Sequence, residues 1–77
     1  MDANKFLADI LEQFEGDIND ANLDVPFKSL ETWDSLTAAA IQVKIEDDYQ
    51  VKVEDKNIRE LTTFRDLYNF VLENKKQ

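Results

Sequence analysis

Apolar residues recur at helical spacing in three stretches of the chain. Phe6, Leu7, Ile10, Leu11 and Phe14 form one stripe along residues 4–14, and Gly16, the only glycine, ends it. Residues 35–49 are periodic and free of glycine and proline, and residues 64–74 carry Phe64, Leu67, Tyr68 and Val71 on one side. These stripes predict three long helices. Thr63, followed three residues on by Asp66, predicts a capped start for the last of them. Between the second and last helices, QVKVEDKNIRELT is too short for two paired strands and a turn. Asp55 with Ile58 and Leu61 predicts one brief helix there instead.

Residues 15–33 break the pattern. They hold Gly16, Pro26 and several Asp and Asn residues without periodicity, which marks a connection longer than most in a small domain. Ile18, Leu23, Val25, Phe27 and Leu30 recur through it. A flexible linker holds few such anchors, so an ordered loop is expected. The fold class is all-α.

A chain of 77 residues supports one hydrophobic core, so residues 1–77 are expected to form a single domain. Composition narrows the chemistry. Without cysteine there is neither a disulfide nor a thiolate metal site. Without histidine, and with acids that lack calcium-loop spacing, no metal is expected. No apolar run approaches the roughly 20 residues that span a bilayer, and the N-terminus lacks a secretory pattern. A soluble cytoplasmic protein, without membrane insertion, is the expectation. Seventeen acidic against nine basic residues give a net charge of -8, which disfavours nucleic acid as a partner. That charge either serves solubility alone or draws proteins with basic docking patches.

Candidate chemistry gathers at Trp33-Asp34-Ser35-Leu36, where the loop ends and the second helix begins. Asp34 suits the N-cap, because its carboxylate can bond first-turn amides at the positive end of the helix dipole. Ser35 then lies in the first turn with its hydroxyl near solvent. A phosphodiester on that hydroxyl would meet a helix N-terminus, which favours negative charge. Such a triplet is also ordinary capping, so the surroundings must decide.

The second helix has two apolar faces. At about 100° per residue, Ala38, Ile41, Ile45 and Tyr49 share one face, while Leu36, Ala39, Ala40 and Val43, continued by Asp47, share the other. The second face either lies under neighbouring helices or meets partners. Glu46, Asp47 and Asp48 close the helix at the negative pole of its dipole, where cations are locally preferred. They are a solvated charge run or a docking patch for basic residues. Trp33 is expected to pack across the loop.

These residues resemble the acyl carrier proteins and the related peptidyl and D-alanyl carriers. The shared motif is Asp34-Ser35-Leu36, and Ile41, Ile45, Glu46, Asp47, Tyr49, Val53, Asp55, Ile58, Leu61, Thr62, Thr63 and Phe64 match the family's spacing without a gap. Phe27 and Leu30 resemble its loop anchors. The resemblance implies a four-helix bundle with three long helices, one short third helix and a long ordered loop between helices one and two. It implies a 4'-phosphopantetheine arm, transferred from coenzyme A to Ser35 by a phosphopantetheinyl transferase. The chain would be a carrier and not an enzyme, with no catalytic residues of its own. Docking would fall to Asp34, Leu36, Ala40, Val43, Glu46 and Asp47, and an acyl pocket to Ile41, Ile45, Ile58 and Leu61. Partners would be acyl- or aminoacyl-loading ligases, synthases or transferases, meeting a monomer.

Three departures qualify the match. The family often has glycine close before the motif, where this chain has Leu30-Glu31-Thr32-Trp33. Thr37 and Ala40 fill positions often acidic in fatty-acid carriers, and Lys44 adds a positive charge. These favour a specialised lipid or polyketide-like pathway over housekeeping fatty acid biosynthesis. An aminoacyl or D-alanyl carrier, or a helical interaction module without a prosthetic group, are the alternatives.

Charge yields a first prediction. Screening weakens the self-repulsion of a -8 chain, so the melting temperature should rise from very low to moderate salt. A flat or falling trend would contradict it.

Overall fold

The computed structural model describes residues 2–14, 22–30 and 32–75. Gly16, expected to end the first helix, and the loop anchor Ile18 lie outside the described residues. Among the described residues four α-helices follow in order: α1 (Ala3–Leu11), α2 (Ser35–Tyr49), α3 (Asp55–Glu60) and α4 (Phe64–Asn74). A 3₁₀ turn, Phe27–Ser29, lies in the connection between α1 and α2. The all-α architecture with one short third helix matches the pattern in the sequence.

Each helix begins where a side chain can satisfy its first amides. Asp2 accepts from the Asn4 amide at 2.9 Å at the head of α1. Glu54, before α3, donates its own amide to Asn57 Oδ1 at 2.9 Å. Thr63 and Asp66 form the expected capping box, with Thr63 Oγ1 accepting from the Asp66 amide and Asp66 Oδ2 from the Thr63 amide, both at 3.1 Å. The remaining amides at the head of α4 find loop carbonyls: Phe64 donates to Val25 at 3.3 Å and Arg65 to Leu23 at 2.7 Å. Helix ends leave such groups unpaired unless something outside the helix meets them.

The first helix is shorter than its apolar stripe. It closes at Leu11, and Gln13 and Phe14 donate back to Ile10 and Leu11 in a tightened last turn. Phe14 still reaches the core from that turn. Periodicity records which residues are buried, and a turn of 3₁₀ geometry keeps the same face for a few residues.

The core draws on every element. Phe6 and Ile10 of α1, Phe27 of the turn, Ile41 and Ile45 of α2, Val51 and Val53 of the next link, Ile58 of α3, and Phe64, Leu67 and Val71 of α4 are buried together. Each large side chain so buried contributes about 1.5–3 kcal/mol. Two aromatic clusters sit within it. Phe6 meets Tyr49 and Tyr68, each at 5.5 Å between ring centroids. Phe14, Phe27, Trp33 and Phe64 pack at 5.2–6.0 Å, which joins both ends of the long connection to α4.

Two predictions follow from these contacts. Thr63→Ala removes an N-cap acceptor and should cost about 1 kcal/mol, read as a lower urea midpoint with unchanged m-value. Tyr49 donates its hydroxyl to Asp9 Oδ2 at 3.1 Å, and burial, then that bond, push its phenol up to about 12. A phenol raised above its usual value of about 10 gives stability that is complete below that value and lost as pH rises through the folded one. Across pH 10–12 the wild type should therefore lose more stability than Tyr49→Phe, in paired denaturation curves.

Candidate functional site

The head of α2 is built from its own sequence. Asp34 is in extended conformation, and its Oδ1 accepts from the Thr37 amide at 2.8 Å and from Thr37 Oγ1 at 2.9 Å. Thr37 is buried, so this cap is turned inward. The Thr37 amide, then the Thr37 hydroxyl, hold the Asp34 carboxyl below its ordinary value, with the Leu36 amide adding to them. Asp34 is thus ionised and occupied. Ser35 follows it, exposed on the first turn. Trp33 is half-buried against Phe27 and Phe14, at 5.2 Å and 6.0 Å. The ring packs across the loop as expected, and it fixes where the helix starts.

Ser35 stands at an open groove of about 560 Å³, in the size range of small-molecule sites. Trp33, Asp34 and Ser35 line its head, and Ala38, Ala39 and Gln42 continue it down α2. The far wall is Asp55, Ile58 and Arg59 of α3, and Lys28 enters from the 3₁₀ turn. Gln42 Nε2 donates to Asp55 Oδ1 at 3.0 Å, bridging the two helices. Lys28 Nζ donates to the carbonyls of Ile58 at 3.0 Å and Arg59 at 2.9 Å, meeting the free carbonyls at the end of α3. An exposed hydroxyl at the mouth, small apolar residues on one wall and amide and charged groups at the rim fit a phosphorylated, amide-containing arm.

The second face of α2 is open. Leu36 is 79% and Val43 59% exposed, so no neighbouring helix covers them. Ala40, Val43 and Asp47 line a shallow depression with Gln13, Ala39 and Lys44. Among the expected docking residues, Asp34 lies instead in the groove, and Leu36, Glu46 and Asp47 are exposed along the helix. The three acids at the end of α2 are not equivalent. Lys44 bonds Asp48 at 2.7 Å, one turn away, and that bond raises the Lys44 pKa. Gln50 closes the helix in the left-handed region with φ 60, a conformation that glycine adopts more readily.

The expected acyl-pocket residues divide. Ile41 and Ile45 are wholly buried, Ile58 is buried and Leu61 is half-buried in one core. Of the four, only Ile58 is among the residues lining the groove at Ser35. Lys28, Gln42 and Arg59 were not singled out from sequence. Lys28 lies in a stretch without periodicity, and its contact is 30 residues away in the chain. Among the described residues, no helix is long and apolar enough to cross a membrane, and no three acidic side chains gather as a metal site.

Searches of curated proteins and of solved structures give no significant match. A family model described as the phosphopantetheine attachment site matches residues 1–71, which takes in the capped head of α2, the groove and most of α4. The chain belongs to the family of domains that bear a covalently attached 4'-phosphopantetheine group and serve as carriers.

Proposed function

We propose that the arm is attached to Ser35 Oγ and that residues 1–77 act as one monomeric acyl carrier domain. The observation that carries this reading is the exposed hydroxyl on the first turn of α2, at the mouth of an open groove, in a chain of this family. When bound, the arm supplies the terminal thiol that a cysteine-free chain lacks, and on it acyl groups travel as thioesters.

The protein's own residues hold and present. Asp34 and Thr37 fix the first turn of α2, so that Ser35 projects outward with little freedom to lose on meeting a transferase. The groove between α2 and α3 gives the arm a surface to lie on beside its attachment point. Leu36, Ala40 and Val43 offer partner enzymes an apolar strip, and Glu46 and Asp47 offer charge to basic residues around it. Apolar contact supplies affinity, and charge supplies approach and register. The reacting groups then belong to the partners, and the carrier itself turns nothing over.

Thr37 and Lys44 support a specialised lipid or polyketide-like pathway. Thr37 is buried in the helix cap and Lys44 neutralises Asp48, which leaves the docking strip less acidic than in fatty-acid carriers.

The test is mass spectrometry of the apo protein incubated with coenzyme A and a promiscuous phosphopantetheinyl transferase. One pantetheinyl phosphate should be gained, and Ser35→Ala should gain none. Absence of any gain, or a gain that survives in Ser35→Ala, would refute the assignment. Subsequent loading by acyl-activating but not aminoacyl-activating enzymes would bear out the acyl reading.

A further inference from the structure

Lys28 and Arg59 are the cations that line the groove at Ser35, and neither has a carboxylate partner among the described residues; Lys52 and Lys75 also lack one but do not line it. Lys5, Lys44, Lys56 and Arg65 each pair with a carboxylate, at 3.7, 2.7, 3.8 and 3.0 Å. Among the described residues Lys28 meets carbonyl oxygens and the face of Phe27, 5.8 Å from the ring centroid. Arg59 is exposed and has no ion pair among the described residues. Both line the groove that Ser35 opens into. Asp55 on the same wall accepts from Gln42, so two cations without a carboxylate partner among the described residues share the groove of the candidate serine in a molecule of charge -8.

The head of α2 gives that wall a purpose. A phosphodiester on Ser35 would bring negative charge next to Asp34, which is ionised and already occupies the Thr37 amide. The helix N-terminus is therefore partly used by its own cap, and two adjacent anions repel one another. A counter-charge must come from elsewhere. The groove wall opposite α2 supplies it.

We propose that Lys28 and Arg59 form an anion-binding wall that holds the phosphate of the arm attached at Ser35, and so keeps the base of the arm in the α2–α3 groove. Arg59 is the main contact. Its guanidinium presents a planar fork of donors suited to phosphate oxygens, and no carboxylate among the described residues engages it. Lys28 adds a charge fixed by its two bonds to the end of α3. This rests on the attachment at Ser35 proposed above.

Phosphorus-31 NMR of the holo protein, made enzymatically from coenzyme A, tests it without any activity assay. The phosphodiester resonance should move between wild type and Arg59→Gln, and return toward the wild-type position in Arg59→Lys. The Arg59 Nε–H proton should also shift between apo and holo wild type, and 0.5 M sodium chloride should diminish that shift. Lys28→Gln should add a smaller displacement of the resonance. Should Lys28→Gln loosen the fold, Arg59→Gln decides alone, because Arg59 is exposed and has no ion pair among the described residues. Identical phosphorus spectra for wild type and Arg59→Gln, with no Arg59 shift on modification, would overturn the proposal. Failure of the attachment itself reads differently: the mass stays unchanged and the holo sample never forms.

Discussion

The unpaired backbone groups at helix ends are the constraint on which the rest of this structure depends. Four helices in so short a chain leave many orphan amides and carbonyls, and few residues are free to satisfy them. The long connection meets that need. Its carbonyls at Leu23 and Val25 take the first amides of α4, and Lys28 takes the last carbonyls of α3. Phe27 donates to the Thr62 carbonyl at 3.1 Å between them. Residues 22–30 are fastened at these points, ahead of Trp33, Asp34 and Ser35 at the head of α2.

Side-chain packing adds what the backbone bonds cannot. Phe27 and Trp33 close on Phe64 and Phe14, so the residue that precedes the cap is held by the same rings that close the core. The cap then has a defined direction. Asp34, still extended, aims its carboxylate at Thr37, and Ser35, the first helical residue, is left exposed.

The sequence was most informative where structure is local. The spans of α2, α3 and α4, the Asp34 cap and the Thr63–Asp66 box follow from spacing and capping chemistry over three or four residues, and each is found in place. The two-faced character of α2 was legible as well, but whether its second face lay under a neighbour was not, because periodicity records apolarity and not cover. The exposure of Leu36 and Val43 answers that. The groove wall is illegible for a different reason: Lys28 meets α3 across 30 residues of chain and Gln42 meets Asp55 across 13, and no short window contains both partners. Ile41 and Ile45 illustrate a third limit, since residues that line a shelter and residues that fill a core share one pattern.

Those long separations bear on when the site comes into being. The first turn of α2 needs only residues 34–37, which a nascent helix can bring together by itself. The wall across from it needs the connection to have closed on α3 and α4, and closing a loop of that length carries an entropic cost that only the assembled core offsets. A serine at a helix start is thus available in a partly folded chain, whereas the serine with its groove exists only in the finished one. The groove beside Ser35 is thus a property of the completed fold, and the capped turn that carries Ser35 is not.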